Sequence, residues 1–302
     1  MTHYQLIAKN KRQSFFIIVV FIVVVLTLAS LISLGFDASY EIIFFAILFS
    51  FFSTFFSYFY SDKIVLTMSK AKKASKKNYF NYFTVVENLV MSQRMPMPQL
   101  YVIDDSAPNA FATGRNPNHS VVCVTSGLLK KLERHELEAV IAHELSHIKN
   151  YDILLMSLVS VLVGLITMLC DFFLRFSFRN NRRNRNSEGN GNIKLILFFI
   201  ALILSILSPI FVKLIQLAVS RKREYLADAS AIGFTKNPSG LINALKKITL
   251  DQEKLEVANH ATAHLYITNP FKNKRDLSQL FSTHPLIENR IKALEEMTYK
   301  VI

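Results

Sequence analysis

Cysteine is nearly absent: the chain of 302 residues has only Cys123 and Cys170. Two such residues, one in an apparent strand and one in an apolar block, form neither a disulfide framework nor a Cys-type metal cluster. Both read as small buried apolar residues. Acidic residues are scarce too, 22 against 35 basic ones, for a formal charge of +13. A surface of that sign attracts nucleic acid or phospholipid. No nucleic-acid-binding motif accompanies it, so nucleic acid is not expected as a partner. Charge of either sign is missing from long apolar runs, which argues against a transporter. Ser146 has no partner pattern for nucleophilic catalysis.

What is present is hydrophobicity, 51% of residues with 25 phenylalanines, gathered in blocks. The segment 15–34 is uncharged, and a helix of about 20 residues crosses a bilayer core. The segment 42–60 is a second such block. Basic residues flank this pair on the outside (Lys9, Lys11, Arg12, then Lys63, Lys70, Lys72, Lys73, Lys76 and Lys77), whereas the link holds only Asp37 and Glu41. Positive flanks place both ends of the hairpin in the cytoplasm. The run is too long for a cleaved signal core. Further blocks at 153–170 and 195–212, the latter bent by Pro209, suggest a second hairpin. Its connection carries Arg175, Arg179, Arg182, Arg183 and Arg185, against the positive-inside tendency if both blocks span. That connection is polar and low in complexity, so disorder is expected there. A hairpin returns the chain to the side it left, so segments 61–152 and 213–302 face the same water and can form one domain.

In the first of these segments, a helix is expected near 81–91, strands near 100–103, 110–113 and 121–125, and a helix over 134–150. In the second, a helix continues through REYLADASAI to a cap at Gly233. Another begins at Asn237–Pro238, and a last one starts near Pro285, capped by Ser282 or Thr283.

The helix over 134–150 carries HELSH, residues 143–147. Residues four apart share a helix face, so His143 and His147 can point at one metal ion. Glu144 projects about 100° away, placed to take a proton from water. A hydrolytic zinc site needs a third protein ligand. Cys123 is one candidate; Glu224 in REYLAD is the better one. Asp228, one turn later, could hold the outer N–H of a ligand histidine. His284 could steady an oxyanion with Arg290 behind it, or simply cap the last helix. The remaining histidines, His3, His119, His135, His260 and His264, lack partner spacing and read as solvated.

HELSH, REYLAD after an apolar hairpin, STHP, NAFATG and TSGLL together resemble the HtpX family of integral-membrane zinc metalloproteases, relatives of the CAAX prenyl proteases. The resemblance covers nearly the whole chain. It implies a mainly α protein with a small β-sheet, a multi-pass helical membrane protein with a gluzincin-like protease domain. It implies an N-terminal transmembrane hairpin (1–60), two halves of a catalytic domain (61–152 and 218–302), and a second membrane hairpin (153–217) between them. It implies one Zn2+ per chain on His143, His147 and Glu224, with Glu144 as base and Asp228 behind a ligand. By the same likeness His284 and Arg290 sit at the transition state. Residues Asn109, Ala110, Phe111, Ala112, Thr113 and Gly114 would form an edge strand for substrate backbone. The expected function is endopeptidase cleavage of damaged or misfolded membrane proteins, a stress-response role, from the cytoplasmic face of a bacterial cell membrane. The protein substrates and the lipid bilayer are the implied partners. The departure from the family pattern is Leu286, where a second proline is common. A metal-retaining scaffold without activity, or a peptidase of prenylated proteins, are the alternative readings.

Overall fold

A computed structural model describes residues 3–35, 41–165, 221–259, 261–271 and 285–301. The 175–185 arginine cluster, Pro209, the helix starts expected at 282–283, and His284 lie outside these residues.

Two long helices open the chain, α1 (His3–Gly35) and α2 (Glu41–Met68). Within them Ile7–Thr27 and Phe44–Met68 are long and apolar enough to cross a bilayer. On α2 the rings of Phe44, Phe45, Phe51 and Phe52 are all more than half exposed. An uncovered apolar row of this size is untenable in water and suits lipid contact. α1 buries a stripe, Ile17, Phe21 and Val25, against Leu155, Val159 and Leu162 of a later helix.

After these two helices come a two-residue strand β1 (Lys72–Lys73) and α3 (Phe80–Gln93). Arg94 takes a left-handed conformation that ends α3. Strands β2 (Gln99–Ile103), β3 (Ala110–Asn116) and β4 (His119–Thr125) complete a four-stranded sheet in the order β1-β2-β4-β3. β4 runs parallel to β2 and antiparallel to β3, with Phe111 opposite Cys123 and Ala112 opposite Val122. β3 is therefore the edge strand nearest the site. Gly114 closes its far end at φ +134°, a backbone angle that side-chain-bearing residues rarely adopt.

Helices α4 (Ser126–Lys131) and α5 (Arg134–Lys149) follow the sheet. The start of α5 is a reciprocal cap: the Glu133 side chain accepts from the backbone at Glu136, and Glu136 accepts from the Glu133 N–H. At Asn150–Tyr151 the chain turns by 84° into α6, Asp152–Leu165. Tyr151 sits at φ +61°, the left-handed conformation that breaks the helix. The expected third membrane block begins here, and its described turns as far as Val163 are buried inside the protein.

After the undescribed stretch come α7 (Arg221–Thr235) and α8 (Pro238–Leu250). The cap expected at Gly233 lies one turn late: Gly233 is inside α7, and Lys236 takes the left-handed turn at φ +54°. Asn237 caps α8 as expected, its side chain accepting from the Gly240 N–H. α9 (Ile287–Val301) is last. One core joins both sequence segments, from Val86 and Leu89 of α3 through Val140 and Leu145 of α5 to Ala231, Leu245 and Leu294.

Candidate metal centre

α5 is buried almost all round over its last three turns, so HELSH lies between the sheet and α7 rather than on a surface. His143 is fully buried and His147 is 4% exposed. Their Nε2 atoms lie 3.2 Å apart. Glu224, on the first described turn of α7, brings Oε1 to 3.6 Å from His147 Nε2 and Oε2 to 3.8 Å from His143 Nε2. All three ligand atoms fall within 4.8 Å of one another. Donors about 2.0–2.1 Å from a tetrahedral ion are about 3.3 Å apart, so the spacing matches such a centre closely.

Each histidine is gripped from behind. His143 Nδ1 lies 3.0 Å from Asp228 Oδ1, and His147 Nδ1 lies 3.0 Å from Asp152 Oδ2. A carboxylate at Nδ1 holds the proton there and leaves the Nε2 lone pair free to ligate. Two such lone pairs facing each other and a third carboxylate repel unless a cation lies among them. The donor set thus fits a divalent ion. Burial pushes both imidazoles down. At His147 the hydrogen bond to Asp152 and the charges of Glu224 and Asp152 outweigh it and lift the pKa to about 9. At His143 burial prevails, and the pKa falls despite Asp228.

Glu144 is 2% exposed. Burial raises its carboxyl to about 7, opposed by the charge of His147 and by the Ala112 backbone hydrogen bond. That bond ties the carboxylate to the middle of β3. The expected edge strand does lie beside the site, but the chain itself covers its rim. Ile267 N–H donates to Ala110 O at 2.9 Å, and Gly114 N–H donates to Ser157 Oγ at 3.3 Å. Asn109 Nδ2 donates to Thr268 O, and Tyr266 packs edge-on against Phe111 at 5.2 Å.

Arg290 reaches the site from α9 and is fully buried. Its Nε and Nη2 donate to both oxygens of Asp228, at 2.9 and 2.6 Å. Its Nη1 donates to Ile267 O at 3.0 Å and lies 3.5 Å from Glu224 Oε2. The guanidinium holds the Asp228 carboxyl below its usual range even though burial pushes the other way.

Asp152 is absent from the sequence reading, where it marked only the end of a segment. A signal existed: an acid five residues beyond the second histidine, just past the helix end. His264, read as solvated, is 1% exposed, its Nε2 near Ser160 Oγ and Met156 O. Cys123 stays within β4 in the apolar core, away from the metal-capable group.

The model of the peptidase family M48 matches residues 81–298. "Protease HtpX homolog" of Caldanaerobacter subterraneus subsp. tengcongensis is 41% identical over 297 residues, 98% of both chains. The protein of that name from Dictyoglomus thermophilum is 43% identical, covering 98% of this chain and 95% of its own. Among solved structures, Ste24p of S. mikatae shares the fold, with a TM-score of 0.50 and 22% identity over 97% of this chain and 67% of that one. The chain belongs to peptidase family M48, within its HtpX group of membrane metalloproteases.

Proposed function

We propose that the metal is a single zinc ion held by His143, His147 and Glu224, and that the protein is a zinc endopeptidase of the gluzincin type. The observation that carries this is the facing pair of Nε2 atoms 3.2 Å apart, each imidazole fixed by a carboxylate at its other nitrogen. Zinc bound there supplies a Lewis acid that acidifies water and polarises the scissile carbonyl.

Glu144 takes a proton from the attacking water and returns it to the leaving amine. A pKa of about 7, lifted by burial, suits a group that must both accept and release a proton near neutrality. Ala112 N–H keeps the carboxylate turned toward β3, where an extended substrate would lie. For a substrate strand to pair along Ala110–Gly114, Ile267 or Ser157 has to give way. Arg290, with three donor groups already engaged, positions Asp228 and Glu224; the oxyanion falls to His284. The second hairpin, 153–217, enters the membrane between the catalytic halves, and the catalytic domain faces the cytoplasm. Substrates are damaged or misfolded membrane proteins, as expected of a protease whose centre adjoins its own membrane helices.

The test is Glu144→Gln in purified full-length protein. The variant is expected to keep its zinc and to lose cleavage of an unfolded test protein by about 100-fold or more. Cleavage at the parent rate sinks the assignment, as does loss of no metal in His147→Ala.

A further inference from the structure

The first transmembrane helix reaches the metal centre through one side chain. Asn10 lies near the start of α1, within the span Ile7–Thr27, and is 3% exposed. A carboxamide at that depth is costly unless its hydrogen bonds are made. Both are made at the corner between α5 and α6. Asn10 Nδ2 donates to Asn150 O at 2.9 Å and to Asp152 Oδ1 at 2.7 Å. The other oxygen of Asp152 accepts from His147 Nδ1 at 3.0 Å. The contacts thus run from α1 to Asp152 to a metal-ligating imidazole, and every member is buried.

Two further contacts secure the same corner. Arg223, one residue before Glu224, sets Nε 3.6 Å from Asp152 Oδ1 and hydrogen-bonds Gln13 of α1. Lys11 lies over the ring of Tyr151, the residue that makes the turn, at 4.8 Å. Asp152 opens α6, and its two oxygens are divided: His147 takes Oδ2, while Oδ1 faces Asn10 at 2.7 Å and Arg223 at 3.6 Å. Asn10 makes the shorter contact to the oxygen that His147 does not use.

We propose that Asn10 is a positioning residue of the metal site: it locks the Asp152 carboxylate so that His147 presents Nε2 to the ion, making α1 a part of the metal-binding unit rather than an anchor alone. This rests on the ligand assignment proposed above. The bland alternative is that Asn10 only ties α1 to the corner through the Asn150 carbonyl.

The test follows zinc leaving the loaded full-length protein in detergent when EDTA is added. Asn10→Ala is expected to release zinc about tenfold faster, the lower end of what loss of a ligand-orienting contact costs. Asn10→Asp sets two carboxylates against each other and is expected to be worse; Asp152→Asn sets two amide nitrogens against each other and also fails. The double variant N10D/D152N restores one donor and one acceptor across the contact and still accepts from His147. It is expected to release zinc more slowly than either single variant, a rescue that a purely structural tie to Asn150 does not give. Ser14→Ala, which removes only a hydroxyl bonded to the Asn10 carbonyl, serves as the control at parent rate. Folding is checked by elution profile, and Asn10→Ser replaces Asn10→Ala where that variant does not fold. Zinc release at the parent rate in folded Asn10→Ala, or no rescue in the double variant, overturns the proposal. Zinc retained in His147→Ala overturns instead the ligand assignment beneath it.

Discussion

Arg290 shows how much of a metal centre is spent on holding ligands rather than on chemistry. A buried guanidinium is tolerated here because Asp228 takes two of its N–H groups and the Ile267 carbonyl a third. Its neighbour Glu224 is thereby screened from Asp228, and two carboxylates can share one buried corner. Lysine offers a single charged point and cannot span both oxygens of Asp228 and the carbonyl. Arg290→Lys is therefore expected to weaken zinc retention by about tenfold, by the logic of ligand-orienting contacts. Arg290→Ala leaves Asp228 charged and unmatched, and is expected to lower unfolding free energy by about 3–5 kcal/mol. Zinc titration and thermal unfolding in detergent check the two; a parent-like Arg290→Lys on both counts contradicts the role. At this scale the sequence was readable where spacing sets direction. His143, Glu144 and His147 owe their relation to one helical turn, and Glu224 and Asp228 to another. Asp152, Asn10 and the burial of His264 depend on contacts between residues more than a hundred positions apart or across a helix break. No periodicity encodes those.

Among the elements, β3 departs most from a simple reading. The family resemblance implies that the NAFATG run is an edge strand for substrate backbone, and its place at the sheet edge follows from the β2-β4-β3 order. Its rim, however, is partly filled by Ile267 and Ser157, which come from segments that no strand pattern marks. Gly114 has a separate reason to be glycine. A Cβ there would come within 2.2 Å of the His119 carbonyl oxygen, at a backbone angle of φ +134°. Neither neighbour can retreat, because both belong to the β3–β4 hairpin. Gly114→Ala is accordingly expected to cost about 2–3 kcal/mol through backbone strain and to shift the thermal midpoint down by several degrees. A midpoint unchanged in the folded, zinc-loaded protein would show that the hairpin relaxes. The bounds of α3 and α5 and the start of α8 are legible to within a few residues, α5 from its apolar spacing and α8 from Asn237 and Pro238. At the end of α7 Gly233 does not act as the cap: it continues the helix to Thr235, and Lys236 makes the left-handed turn.

For the whole molecule, the decisive constraint is that one core is shared by segments on both sides of an apolar excursion. Val140 and Leu145 pack with Ala231 and Leu245, so α5 and α8 lie on the same side of any bilayer that α1 and α2 cross. The proposed side rests on charge. Lys9, Lys11 and Arg12 lie in the first turns of the first span, and Lys70, Lys72, Lys73, Lys76 and Lys77 follow the second, whereas the link between them has no basic residue. Short flanks of that sign favour the cytoplasm, the side proposed above for the catalytic domain. The consequence is testable by thiol labelling in intact cells, in a background where Cys123 and Cys170 are replaced by alanine. A cysteine placed at Ala38, in the link, is expected to react with a membrane-impermeant reagent added outside. One placed at Ser75, next to β1, is expected to react only after the membrane is opened. Because β1 pairs with β2, and β2 with β4, the position of Ser75 carries the whole sheet and the HELSH helix with it. Labelling of Ser75→Cys in sealed cells would put the metal centre outside, against the charge of its own flanks, and the cytoplasmic reading would have to be abandoned.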